Sequence, residues 1–459
     1  MSAEHLAARP VSGTPRPYEF PPFTKTWLPN GVEVRTVHLP GRPLVSAVVA
    51  IRRGATDEGP ALAGVSALAA RALSEGTQRY EAIAFVEAAE RLGAELHASA
   101  GWDAASTSVE VPGTRLGAAM ELLAEMTLRP SFPEHEVERL RDQRMNEILQ
   151  ALADPRSRAE IAFTSTIYTA DSPYGRLLGG DRETVPGLAV PALRARHAAW
   201  LDPERMTIVV GGDLDGMDVL RIVEPLFAGI PRVAGSGASP AVVAASAVDG
   251  TIVRVHHRPG AVQTEIRVGH VGLARRIPDF HAVSVMSAIL GGLFGSRLNM
   301  RLREEKGYTY GAHAGFDLRV HPGPFGARAA VETDVTAPAA TDLLAEIRRM
   351  RETDVTADEL RAAKDYLIGV FPLRFETPGP VVTALAGLAT GELPDDELAR
   401  YRPGISAVTV ADVRRAAEEH LHPDRSAIVL LGDADRIAGD VEAADLGDLE
   451  IDREDQPAS

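Results

Sequence analysis

The chain has 459 residues, a mass of 48.9 kDa, a net charge of −16 and no cysteine. Hydrophobic residues make up 45% and charged residues 24%, the balance of a globular chain with more than one core. The acidic balance argues against a surface built to neutralise nucleic-acid phosphates, and the missing thiols exclude disulfide scaffolds, thiolate nucleophiles and Cys-ligated zinc.

In chain order, residues 1–25 read as an extended N-terminal arm. They hold Pro10, Pro15, Pro17, Pro21 and Pro22 and no apolar run, so neither a signal peptide nor a membrane span is expected and a cytoplasmic location is. Gly31–Leu39 and Leu44–Arg52 predict strands. Gly64–Leu73 and Tyr80–Leu92 predict Ala-rich helices. Glu95–Val111 predicts a hairpin, because Leu96, Ala98, Ala100 and then Thr107, Val109, Val111 alternate with polar residues. Leu116–Leu128 and Glu134–Leu152 predict longer helices. Strands and helices fall in separate blocks, which gives an α+β class with helices packed on a mostly antiparallel sheet.

The pattern then recurs. Val190–Asp215 aligns without a gap on Val410–Asp435: Leu201 falls on Leu421, Pro203 on Pro423, Arg205 on Arg425, and Gly212-Asp213 on Gly432-Asp433. Leu122–Glu125 matches Leu343–Glu346, and Ala100–Asp103 resembles Ala314–Asp317. Three matches in one order near one offset indicate an internal duplication. The expected organisation is an N-terminal domain over 26–230, a linker over 231–250 centred on Ala234–Pro240, a C-terminal domain over 251–436 and an acidic tail over 437–459.

Familiar catalytic motifs are missing. There is no Walker A loop, no G-x-S-x-G elbow, no dinucleotide fingerprint, no H-E-x-x-H and no H-x-x-E-H. His256-His257 and the His420/His422 pair are the close histidines, and the second pair is expected at the surface rather than on a metal.

The most specific stretch runs from Leu290-Gly291-Gly292 through Ser296-Arg297-Leu298 and Leu302-Arg303-Glu304 to Gly307 and Tyr310. It resembles the C-terminal half of the insulinase/pitrilysin-like zinc peptidases, the inverzincins. Arg258–Thr264, Asn30–Val32, Gly54–Glu58, Glu75–Thr77 and Ser172–Arg176 also resemble that family. The resemblance implies two related α+β halves forming half of a peptidase chamber. It also implies an H-x-x-E-H helix in the first half. Histidines one turn apart reach one Zn²⁺, and the Glu between them activates its water. Here those three positions hold Ala67, Ala70 and Arg71, and the distal ligand position holds Glu147, with Leu140 seven residues before it. The expectation is a degenerate site with no metal and no catalytic residue of its own.

Arg303 and Tyr310 match the family's substrate-holding Arg and Tyr. A guanidinium and a phenol suit that work, since both donate hydrogen bonds to a peptide carbonyl or its oxyanion. The resemblance therefore implies a non-catalytic, peptide-binding subunit, with zinc supplied by a homologous H-x-x-E-H partner. The alternative is a peptide chaperone or scaffold with no protease partner. The acidic balance of the chain favours basic substrates if the inner wall shares it.

Overall fold

The computed structural model describes residues 13, 15–232, 242 and 244–453. Most of the expected linker, Ala234–Pro240 included, lies outside the described residues.

The first half contributes β1 (Thr24–Trp27), β2 (Glu33–His38), β3 (Leu44–Ile51), β4 (Glu95–Ala100), β5 (Ala105–Pro112) and β6 (Met206–Gly212). Its helices are α1 (Val65–Ala72), α2 (Ala82–Leu92), α3 (Leu116–Leu128), α4 (Glu134–Ala153), α5 (Pro155–Ile167), α6 (Val190–Trp200) and α7 (Val219–Phe227). The second half contributes β7 (Ile252–His257), β8 (Gln263–Val271), β9 (Ala312–Phe316), β10 (Pro324–Glu332), β11 (Ala427–Gly432) and β12 (Asp448–Asp452). Its helices are α8 (Phe280–Ser287), α9 (Thr336–Glu352), α10 (Ala357–Val370), α11 (Pro378–Thr390), α12 (Glu397–Ala407), α13 (Val410–His420) and α14 (Ala434–Ala443).

The strands form two six-stranded sheets, ordered β1-β2-β6-β3-β5-β4 and β12-β7-β11-β8-β10-β9. Five strands correspond between them. In each sheet three of the four pairings of that common unit are antiparallel, and the one at its end, β2 with β6 or β7 with β11, is parallel. The two halves are therefore related, and each is an α+β layer. The correspondence reaches single side chains. His38 Nδ1 accepts from the Leu214 amide while Asp213 accepts from Gly41. His257 Nδ1 accepts from Ala434 while Asp433 accepts from Gly260.

Each common unit gains its sixth strand from a different chain end. β1 pairs antiparallel with β2, and β12 pairs parallel with β7. The segment expected as an acidic tail from 437 onward is thus mostly folded: it completes α14 and supplies β12. Its charges hid the strand, because an edge strand tolerates charge that a central one does not.

One face of each sheet is covered by its own helices. The first core gathers Val34, Val45, Leu123, Trp200 and Phe227, and the second Val255, Ile266, Leu343 and Ile428. The opposite faces are covered by exchange. α5, released from α4 at Asp154-Pro155, leaves the first half and packs Phe163 and Ile167 beside Ala427 and Val429 of β11. α11 returns the exchange, setting Val381, Val382 and Leu385 over Val37, Val48 and Val209. Burial on both faces explains the run of β3, apolar throughout except for Ser46, whose hydroxyl donates to Glu110.

A polar and aromatic seam joins the two halves at the hairpin tips. The Arg319 guanidinium lies over both Trp102 and Tyr174. Tyr174 Oη donates to Asp103 at 2.9 Å, and the other Asp103 oxygen accepts from the Val320 amide.

Candidate functional site

The helix that should carry the peptidase motif is α1. It starts where the buried Glu58 carboxylate accepts from the amides of Gly64 and Ser66, which satisfies orphan donors of the helix start. Ala67 and Arg71, one turn apart, face a cavity of about 420 Å³ bounded by Ala98–Ala100 of β4, Arg144 of α4 and Leu177–Gly179. Ala70 points the other way and is 1% exposed within the first core.

The structure brings Arg71 and Glu147 together across 76 positions of sequence, with Nη1 to Oε1 at 2.8 Å. Arg144 Nη1 reaches the other Glu147 oxygen at 3.2 Å, and Gln143 adds a longer contact. The hydrogen bond from Arg71, seconded by Arg144, holds the Glu147 carboxyl below its ordinary range. Glu147 is therefore no freely solvated helix residue. These groups do not fit a zinc ion. Two alanines offer no donor atom, and the one carboxylate is spent on two guanidinium groups that would repel a cation.

The second half builds its site around two π-helical turns, Ala288–Gly292 and Asn299–Glu305, a geometry common where backbone is bent for function. A Cβ on Gly291 would stand 2.2 Å from the Ala314 amide nitrogen, so glycine lets the first turn touch β9. Asn299 ties the second turn to the same strand. Its Oδ1 accepts from the Ala312 amide, and its Nδ2 donates to Leu293 and Ser296. Gly307, at φ +67°, ends the turn and redirects the chain.

Arg303 and Tyr310 line one cavity of about 460 Å³. Arg303 lies with its guanidinium 4.1 Å from the Phe294 ring centre and 3.4 Å from Glu304. Tyr310 is 97% exposed. It sits two residues before the start of β9, on the segment that Gly307 redirects.

Arg297, part of the same specific stretch, does different work. It is buried and donates to both oxygens of Glu359, the N3 residue of the capping box that starts α10. Burial opposes the Glu359 charge, but the hydrogen bonds from Arg297 and Thr356 outweigh it and bring the carboxyl down to about 2. A folded-state value below the ordinary 4.5 means the stabilisation is complete above that pH and fades as pH falls toward 2. Glu359→Gln is expected to cost about 2–4 kcal/mol at neutral pH and little near pH 2. Urea unfolding at both pH values checks this, and an equal cost at both would remove the ionised pair as its source.

The histidine pairs fold differently from the sequence expectation. His420 is 8% exposed, not at the surface, and its Nε2 lies 2.6 Å from Asp279. The His422 amide donates to His270. Among the described residues His257 groups with Asp433 and Asp435. Asp433 already caps α14, Asp435 pairs with Arg453, and the first half repeats the His–Asp device at His38 and Asp213. The arrangement is a strand–helix joint. Sequence reasoning also missed Arg71–Glu147 as a pair, although the two family positions were in hand to suggest it.

The comparisons with known proteins agree with this architecture. Residues 33–180 match the family model "Insulinase (Peptidase family M16)", and residues 188–367 match "Peptidase M16 inactive domain". The chain is 26% identical to an uncharacterized zinc protease of Mycobacterium leprae, over 88% of this chain and 91% of that one. It is 23% identical to a protein of Helicobacter pylori described as the non-peptidase homolog YmxG, over 68% and 72%. A crystal structure of a peptidase M16 inactive domain from Pseudomonas fluorescens superposes with a TM-score of 0.81 at 25% identity, covering 90% of this chain and 98% of that chain. A protease from Helicobacter pylori gives 0.83 at 20% identity, covering 90% of this chain and 100% of that one, a likeness of fold.

The duplicated sheets and the altered α1 define a peptidase-like protein without the family's catalytic motif. The chain belongs to the insulinase family of peptidases, M16, and does not carry its H-x-x-E-H motif.

Proposed function

We propose that this chain is the non-catalytic, substrate-holding subunit of a two-chain zinc peptidase. A homologous partner with H-x-x-E-H supplies the metal and the general base, and this chain supplies Arg303, Tyr310 and half of a closed chamber. The observation that carries the reading is an asymmetry. Arg303 and Tyr310 stand together on one cavity wall, while the positions of the H-x-x-E-H motif hold Ala67, Ala70 and an Arg71 bonded to Glu147. A chain that only filled space would have no use for an exposed Tyr310. Substrates are extended peptides that add to a sheet edge. β4 is an edge strand and borders the α1 cavity, which supports this mode. Among the described residues no helix is long and apolar enough to cross a membrane, in keeping with a proposed cytoplasmic setting.

The test is reconstitution. The purified chain should retain no stoichiometric zinc after dialysis and should not cleave peptides. Mixed with an H-x-x-E-H homologue, it should form a 1:1 complex that does. Chelator-sensitive proteolysis by this chain alone would refute the reading.

A further inference from the structure

The second sheet carries a row of side chains that its twin lacks. β8, β10 and β9 pair so that Arg267 stands directly opposite Arg328, and Arg328 directly opposite His313. Like charges in directly opposed positions destabilise a sheet, so the fold itself gives no reason for the row. The duplication provides an internal comparison. In the first sheet the same register is Val48, Ser108 and His97. A sheet of this topology closes without opposed guanidinium groups.

The row lies on the face turned away from the second core, which takes the alternate residues Ile266, Val268, Ala327 and Ala329. It lines the 460 Å³ cavity together with Arg303 and with Arg156 from α5. Glu265 is the carboxylate on that wall, and it is spent on Arg267 at 2.8 Å. Glu160 is spent on the same guanidinium at 3.1 Å. Arg267 is buried and also donates to the carbonyls of Ile266 and Arg156, so it is fully engaged. Arg156 and Arg328 differ from it. Both are exposed to the cavity, and among the described residues neither has a carboxylate within ion-pair distance. A second cavity of about 200 Å³ shares Arg267, His313 and Arg328 and prolongs the groove toward Arg319. Burial and the charge of Arg328 hold the His313 imidazole below its ordinary range, one local cost of the row.

We propose that this groove receives the carboxylate side chains of an acidic peptide segment, with the guanidinium groups of Arg156 and Arg328 as its contacts. The inference rests on reading the chain as a substrate-holding subunit and names that subunit's substrate class. The overall charge of −16 points toward basic substrates, but this wall does not share it. A guanidinium fork matches a carboxylate in two parallel hydrogen bonds, and a partly enclosed wall strengthens them.

The experiment is fluorescence anisotropy on the full chain. The probes are a labelled extended peptide carrying several glutamates and its counterpart with glutamine at each of those positions. The glutamate peptide is expected to bind about tenfold more tightly. The advantage should shrink as salt rises. Arg328→Ser, the residue of the twin register, and Arg156→Ser should each remove much of the preference and leave the glutamine peptide's affinity unchanged. Arg328→Ser should melt at the same or a higher temperature, since an opposed charge is gone. Equal affinity for the two peptides, or an undiminished preference in Arg328→Ser, would overturn the proposal. So would displacement of the probe by inorganic phosphate or single-stranded DNA at lower concentration than by unlabelled glutamate peptide. The two readings fail separately. A charge preference without cleavage by any reconstituted pair sinks the peptidase reading alone, and cleavage indifferent to substrate charge sinks this one alone.

Discussion

Tyr310→Phe and Arg303→Ala are each expected to lower kcat/KM of the reconstituted two-chain peptidase by about 10²–10³-fold, the usual loss of one preorganised donor to a developing oxyanion. Tyr310→Phe removes one hydroxyl from a side chain that is 97% exposed, so packing and assembly should be unaffected. Arg303→Ala removes a guanidinium stacked on Phe294, itself 72% exposed, and no core contact goes with it. Steady-state kinetics on pairs shown by gel filtration to assemble normally supplies the measurement. If both variants cleave within about twofold of the parent pair, a range far below the loss of a donor, the two residues hold no substrate and the scaffold reading gains.

The double variant Ala67→His, Arg71→His is expected to take up stoichiometric zinc where the parent takes none. The two positions lie one turn apart on α1 and face the same cavity. Replacing Arg71 also releases the Glu147 oxygen it holds at 2.8 Å. Two imidazoles and one carboxylate are the ligand set of an open zinc site. Ala70 is best left alone, because at 1% exposure a glutamate there would be buried in the first core. The variant should therefore bind metal and remain inactive, lacking a general base. Elemental analysis after dialysis, with circular dichroism to establish folding, decides it. A folded double variant without zinc would show that more than these two side chains excludes the metal, Arg144 on the other Glu147 oxygen or the backbone around α1.

What the sequence made legible follows from the range of each signal. Periodicity is local, and it placed the hairpin, α1 and α3 within a residue or two of their ends. The duplication carried that reading into the second half and gave the two related layers. Pairings across the sheets are not local. The Arg267–Arg328–His313 row depends on strand register, which no window of sequence contains. The same holds for Arg71 with Glu147 and for His420 with Asp279, which lie 76 and 141 residues apart. β1 was hidden by its brevity and polarity, and β12 by its acidic residues. The exchange of α5 and α11 was invisible because an apolar helix face does not state which sheet it will meet.

That exchange sets the order in which the protein can be made. As the chain emerges from a ribosome, the first half has all its strands once residue 212 is out. Yet Val37, Val48 and Val209 have little cover beyond Tyr18, Phe20 and Phe23 until Leu388 has followed. For more than a third of its synthesis the nascent protein carries a finished sheet with one apolar face still mostly uncovered, the kind of surface that draws chaperones or aggregates. Completion comes late and for both halves together, since α5 waits in turn for β11 near the end of the chain. The two halves are thus units of ancestry rather than units of folding, and stability belongs to the whole chain.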